Sequence, residues 1–225
     1  LFRSEVDIKW QALKGEDPQR VAAMAVQKRA IDAHVDQIKK AGMGPAATYS
    51  QASALALSTG LRDAMVVHLG PSQSAVVLVR DGIAQAVHQV PAADGEQSTQ
   101  EQAEGMARAV EQMEGYDQTL AGRDESEILP VVLTGQLPPG EGQLEDEVQL
   151  ILRRDVLPLS PPVEYPDEFP VAEYATNVGL AVLARGKPRS WTRTSAQDVV
   201  SLNLLSERHF PTPLPMGQIA VFLIL

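Results

Sequence analysis

The sequence predicts an α/β protein: a mixed sheet with flanking helices, preceded by part of a small α/β subdomain. Three observations predict it. Ala64–Pro91 reads as three consecutive strands, Ala64–Leu69, Ser74–Arg80 and Ile83–Val90. A Gly70-Pro71-Ser72 turn joins the first two. Asp81-Gly82 joins the second and third, and it is a two-residue hairpin signal because both central residues of a tight I′ turn need positive φ. Second, Ile128–Leu133 is a continuous apolar run of the kind buried on both faces of a parallel sheet. Third, the segments around these strands carry apolar residues at helical spacing.

Composition narrows the function classes. With 225 residues the chain is long enough for one large domain or two small ones. Hydrophobic residues make up 44% and charged residues 21%, the balance of a globular protein. The net charge of -10 argues against a nucleic-acid partner, since backbone phosphates are bound by Lys and Arg. There are no cysteines, so disulfides and thiolate metal sites are excluded, in keeping with a reducing compartment.

In chain order, Val6–Leu13 and Arg20–Val26 are two β segments joined by the turn cluster Lys14-Gly15-Glu16-Asp17-Pro18. A helix over Arg29–Ala41 follows, with Ile31, Val35 and Ile38 on one stripe. Asp32, Asp36, Lys39 and Lys40 are expected to face outward, and Gly42 to stop the helix. Pro45–Tyr49 is a short extended piece, and Gln51–Leu57 a helix of small residues suited to close packing on a sheet. After the three strands, Ala92–Gln100 reads as a polar link. Gln102–Leu120 reads as a helix with Met106, Val110 and Met113 on one face. Ala121–Glu127 and Gln136–Gly142 are loops. Leu144, Val148, Ile151 and Leu152 mark another amphipathic helix. Leu157–Pro170 holds too many prolines for regular structure. A last helix is marked by Val171, Tyr174, Ala175, Val178 and Val182. From Lys187 the chain turns basic and polar, as a linker does. Leu202-Asn203-Leu204-Leu205-Ser206-Glu207-Arg208 follows, and Ile219–Leu225 (IAVFLIL) ends the sequence. That run is too short to span a bilayer, which takes about 20 apolar residues. It reads as the first turns of a transmembrane helix; a buried strand is the alternative.

Several of these residues resemble a family. Val66–Pro91, Val131–Gly135, Tyr165-Pro166, Phe169-Pro170, Tyr174-Ala175 and Gly179-Leu180-Ala181 look like the C-terminal half of the PilM family of type IV pilus assembly proteins. That family is actin-like and FtsA-related. The resemblance implies an actin-like, ribonuclease H-like sheet over residues 45–186, with residues 1–44 as part of the small inserted subdomain. Residues 187–200 would form a linker. Residues 201–225 are similar to the cytoplasmic start of a PilN-like partner, whose Ile-Asn-Leu-Leu-Pro motif matches Leu202-Asn203-Leu204-Leu205 with Ser206 in place of the proline. The resemblance implies that Leu202, Asn203, Leu204, Leu205 and Arg208 bind a partner groove. It also implies a location at the cytoplasmic face of the bacterial inner membrane. The GspL-type protein of type II secretion is a close relative with the same architecture.

The nucleotide site that the resemblance implies is degenerate. His68, Gly70, Ser72 and Ser74 occupy the phosphate hairpin, and Thr134 and Gly135 the second nucleotide turn. The family's acidic residue is replaced by His68, and a neutral imidazole is a poor substitute for a hard oxygen ligand to Mg²⁺. Gln136 and Leu137 place side chains where bare backbone is needed. Ala92–Gln102 is short for a helical subdomain closing over a nucleotide. His34 and His88 have no acidic companions at ligand spacing. The expectation is therefore a scaffold rather than an enzyme, with no catalytic residue, no metal and no resident cofactor. Its expected partners are other pilus or secretion platform proteins, the inner membrane, or a second copy through the C-terminal segment. The alternatives are a divergent ATPase using ATP and Mg²⁺, a GspL-type scaffold, and a stand-alone adaptor unrelated to pili.

Overall fold

The computed structural model describes residues 5–13, 21–70, 73–91, 98–121, 128–136, 143–185, 200 and 202–209. The Lys14–Pro18 turn, Ser72, most of the linker and the aliphatic run Ile219–Leu225 lie outside the described residues. The chain divides into two compact units, Ser50–Ser201 and a smaller one made of Leu1–Tyr49 with Leu202–Leu225.

In the smaller unit, β1 (Val6–Ala12) and β2 (Val21–Gln27) form an antiparallel two-stranded ribbon with Trp10 opposite Ala23. Helix α1 (Lys28–Lys40) follows directly, and Val35 at the centre of its apolar stripe is fully buried. The helix ends in a Schellman motif. Gly42 takes φ 78, its N–H donates to Lys39 O at 2.9 Å, and Met43 N–H donates to Ile38 O at 3.1 Å. One expectation is corrected here. Asp32 does not face open solvent, because Arg208 and His209 sit on its carboxylate.

The larger unit holds α2 (Gln51–Ser58), β3 (Ala64–Leu69), β4 (Gln73–Arg80), β5 (Ile83–Pro91), α3 (Thr99–Ala121), β6 (Val131–Gly135), α4 (Gln143–Leu152), β7 (Val156–Leu157) and α5 (Ala175–Arg185). Its five-stranded sheet has the order β5-β4-β3-β6-β7. The first three strands are antiparallel, while β6 and β7 run parallel to β3. The β4–β5 turn has Asp81 at φ 55 and Gly82 at φ 73, as a I′ hairpin requires.

Alternation along the strands divides the core in two. Met65, Val67, Leu69, Val76 and Leu78 pack against α3 and α4 through Met106, Val110, Leu144 and Val148. Val66, Val77, Val79 and Val132 face the other way, onto Leu55 and Ala56 of α2 and Ala175 of α5. The α2–α5 contact depends on Gly179. A Cβ there would lie 1.8 Å from the Ala54 carbonyl oxygen, so the two helix backbones touch only because the side chain is absent.

Several boundaries differ from the sequence expectation; α5, for one, starts at Ala175, so Val171 and Tyr174 precede the helix in a turn. Helix α3 starts at Thr99 because Ser98 and Glu101 form a capping box: Glu101 N–H donates to Ser98 Oγ at 3.2 Å, and Ser98 N–H to Glu101 Oε2 at 3.0 Å. The hydrogen bonds that the Ser98 N–H and the Ser98 hydroxyl donate to Glu101 Oε2 hold the Glu101 carboxyl below its usual range. Strand β6 starts at Val131, not Ile128, which is 69% exposed and precedes the donor-less Pro130. The short edge strand β7 lies at the start of the proline-rich segment and was not expected. Its pairing of Val156 with Val131 is long-range and leaves no local pattern. The rest of that segment is irregular and carries a small aromatic cluster, with the Phe169 ring tilted against Tyr165 at 6.4 Å and against Tyr174 at 5.3 Å.

A paired substitution checks this packing. Gly179→Ala should destabilise the protein by about 2–3 kcal/mol, because overpacking forces backbone apart. Gly105→Ala, in the interior of α3 with nothing near its added Cβ, should stabilise it by up to about 1 kcal/mol. Urea denaturation of both proteins measures the two signs, and a Gly179→Ala protein as stable as its parent would overturn the contact.

Candidate functional site

The expected nucleotide residues come from the ends of β3, β4 and β6. In the sheet register His68 lies between Ala75 on β4 and Thr134 on β6. The His68 Nδ1 and Thr134 Oγ1 are 3.1 Å apart, and Thr134 Oγ1 donates to the Val67 carbonyl at 3.3 Å. A hydroxyl has one hydrogen to give. With that hydrogen on Val67 O, His68 carries its own on Nδ1 and keeps a lone pair on Nε2. Burial lowers the His68 pKa, so the ring is held neutral.

His68 borders a cavity of about 410 Å³, lined also by Gln51, Gly70, Gln73, Ala75 and Gln89. Among the described residues that line it, none is charged. It therefore has no carboxylate for a divalent cation and no Lys or Arg for a phosphate. Bare backbone is nevertheless required here. A Cβ on Gly70 would meet Gln73 O at 2.4 Å, and one on Gly135 would meet Leu69 O at 2.1 Å. Both glycines thus have a structural reason apart from any ligand. Ser74 pairs with Leu69, one residue along from His68, so it lies on the opposite face of the sheet. Of the six expected positions the fold brings His68, Gly70, Thr134 and Gly135 to one corner. It turns Ser74 away, and Ser72 is outside the described residues.

The second expected site, Leu202–Leu205 with Arg208, lies in the smaller unit. Asn203 is its pivot. Its Oδ1 accepts from Thr48 N–H and from Leu205 N–H, each at 3.0 Å, while Leu204 N–H donates to Thr48 O at 2.7 Å. One side-chain oxygen therefore closes an Asx turn and pairs with a strand-like segment at the same time. Leu204 is 4% exposed and Leu205 fully buried; burying one such side chain contributes about 1.5–3 kcal/mol. Leu202 is half-buried.

Beyond the apolar pair, the chain makes a 3-10 turn, Glu207–His209, against α1. Arg208 pairs with Asp32 Oδ2, and His209 Nε2 lies 3.0 Å from Asp32 Oδ1. Lys39 Nζ donates to His209 Nδ1 at 3.1 Å. The hydrogen bond from Arg208 first, and that from His209 second, hold the Asp32 carboxyl below its usual range. Sequence reasoning missed Thr48, Asp32, Lys39 and His209. No local signal marks them, because each meets its partner across more than 150 residues.

Sequence reading also passed over the Arg80–Asp117 pair, which is buried between β4 and α3. Among the described residues no cluster of three or more His, Asp or Glu could hold a metal ion, and no helix is long and apolar enough to cross a membrane.

No protein-family model matches the sequence, and no curated protein is similar to it. Solved structures are similar in fold. An AlfA filament bound to AMPPNP is 18% identical, over 58% of this chain and 41% of that one, with a TM-score of 0.36. The PilM-PilN type IV pilus biogenesis complex is 15% identical, over 80% of this chain and 67% of that one, with a TM-score of 0.50. The cytoplasmic domain of EpsL, an inner membrane component of the type II secretion system of Vibrio cholerae, is 14% identical, over 79% of this chain and 57% of that one, with a TM-score of 0.42. The chain thus spans less than half of the AlfA chain and two thirds of the PilM-PilN chain it matches. The likeness to the PilM-PilN complex, together with the mixed five-stranded sheet, shows an actin-like α/β fold.

The neutral His68 has a consequence for stability. Its folded pKa is below its unfolded one, so its contribution is fully present above about pH 6.5 and is lost as the pH falls through the folded value. The parent protein should therefore lose more stability than His68→Gln on acidification below about pH 6.5. Urea midpoints measured across that range check this, and parallel curves would overturn the assignment of a neutral, desolvated ring.

Proposed function

We propose that this chain is a non-catalytic actin-like scaffold in a type IV pilus assembly platform at the cytoplasmic face of the bacterial inner membrane. Its C-terminal segment would lead from a docked Asn-Leu-Leu motif into the membrane. The observation that carries the reading is the seat of Asn203. A side chain that pairs with Thr48 on one side and closes its own turn on the other reads a short peptide in one register, which is how a recognition groove works. The resemblance of that motif to the start of a PilN-like protein supports the pilus assignment, and so does the fold shared with the PilM-PilN complex. The uncharged cavity beside His68 supports a scaffold over an ATPase, since phosphoryl transfer needs a held Mg²⁺ and a charged cradle.

Two measurements test the proposal. Changing Leu204 and Leu205 together to Asp should release the segment, and protease cleavage between Lys187 and Val200 should then accelerate at least several-fold. Unchanged cleavage would count against docking. Calorimetric titration of the intact protein with ATP and Mg²⁺ should give no binding at millimolar nucleotide. Micromolar affinity would replace the scaffold with a divergent ATPase.

A further inference from the structure

The β1–β2 ribbon has two chemically different faces. One carries Asp7, Lys9 and Gln11 from β1 opposite the half-buried Val26, Met24 and Ala22 of β2, with Asp7 and Lys9 ion-paired at 3.3 Å. On the other, Ile8, Trp10 and Ala12 stand opposite Ala25, Ala23 and Val21. That second face contains no polar side chain along these three pairs, and its fourth pair, Val6 with Gln27, adds a single amide beside the start of α1. It is also open: Trp10 is 67% exposed, Ile8 63% and Val21 52%. Solvent-facing strands alternate toward polar residues, and a contiguous apolar patch marks a contact surface.

Charge and position decide the occupant. The smaller unit has nine Lys and Arg against seven Asp and Glu, whereas Ser50–Ser201 has ten against twenty-two. The unit with the apolar face is thus net +2 in a chain of net -10. Such asymmetry within one chain favours a membrane surface for its basic part. The aliphatic run Ile219–Leu225 begins ten residues after His209, which is held in this same unit. Ten residues reach at most about 35 Å. A tryptophan beside aliphatic side chains is also the composition of a membrane–water boundary.

We infer that the Ile8–Trp10–Val21 face of the ribbon rests in the headgroup–acyl boundary of an anionic membrane, as a second contact beside the proposed tether. The inference rests on that reading only for proximity, and the test separates the two. Trp191→Phe leaves Trp10 as the sole tryptophan of the two. Mixed with phosphatidylethanolamine–phosphatidylglycerol vesicles, this protein should show a blue-shifted Trp10 emission that brominated acyl chains quench, and less of both with phosphatidylcholine. Adding Ile8→Asp and Val21→Asp should abolish quenching with the circular dichroism spectrum unchanged, because both side chains are exposed. Co-sedimentation with vesicles reports the tether, and Trp10 quenching reports the face. Sedimentation without quenching would overturn the inference while leaving the tether. Loss of self-association in the Asp variants, again without quenching, would assign the face to a second copy and overturn it as well.

Discussion

Strand β3 is paired on both edges and covered on both faces, and the larger unit depends on that constraint. It binds β4 antiparallel and β6 parallel, so its register sets which side chains of three strands share a face. Met65 and Val67 point to α3 and α4, and Val66 points to α2. A one-residue slip would send every one of them to the wrong layer. The same register carries His68 to Thr134 and leaves its ring at the sheet's end, where burial keeps it neutral.

Absence of side chains is the complement of that constraint. Gly135 lets β6 run past Leu69, and Gly179 lets α5 lie on the backbone of α2. At the other extreme, Arg80 enters the core between β4 and α3 and is matched there by Asp117. Removing one partner of such a buried pair costs about 3–5 kcal/mol, since the remaining charge stays out of water. The hairpin end of the sheet is therefore held by charge and the centre by shape.

The smaller unit is organised differently. Among its described residues the buried hydrophobic side chains are Val35, Leu204 and Leu205. Two of those three come from the segment that rejoins it far along the chain. The docked segment is thus part of this unit's core, and its polar contacts with Thr48, Asp32 and Lys39 give it register.

What the sequence by itself determined was local: turn clusters bounding β segments and apolar runs marked β1 to β5, the positive-φ pair Asp81-Gly82 marked the hairpin, and Gly42 ended α1. The actin-like fold was legible only through the family resemblance carried by Val66–Pro91 and Val131–Gly135, not from periodicity. The capping box of Ser98 and Glu101 was legible too, but the polar link around it hid the helix start. Only the tertiary structure could decide the rest. Strand β7 has no pattern of its own, Ser74 is turned from His68 by register, and Asp32 meets Arg208 across the whole chain. Those outcomes rest on contacts between residues distant in sequence, and periodicity carries information only about near neighbours.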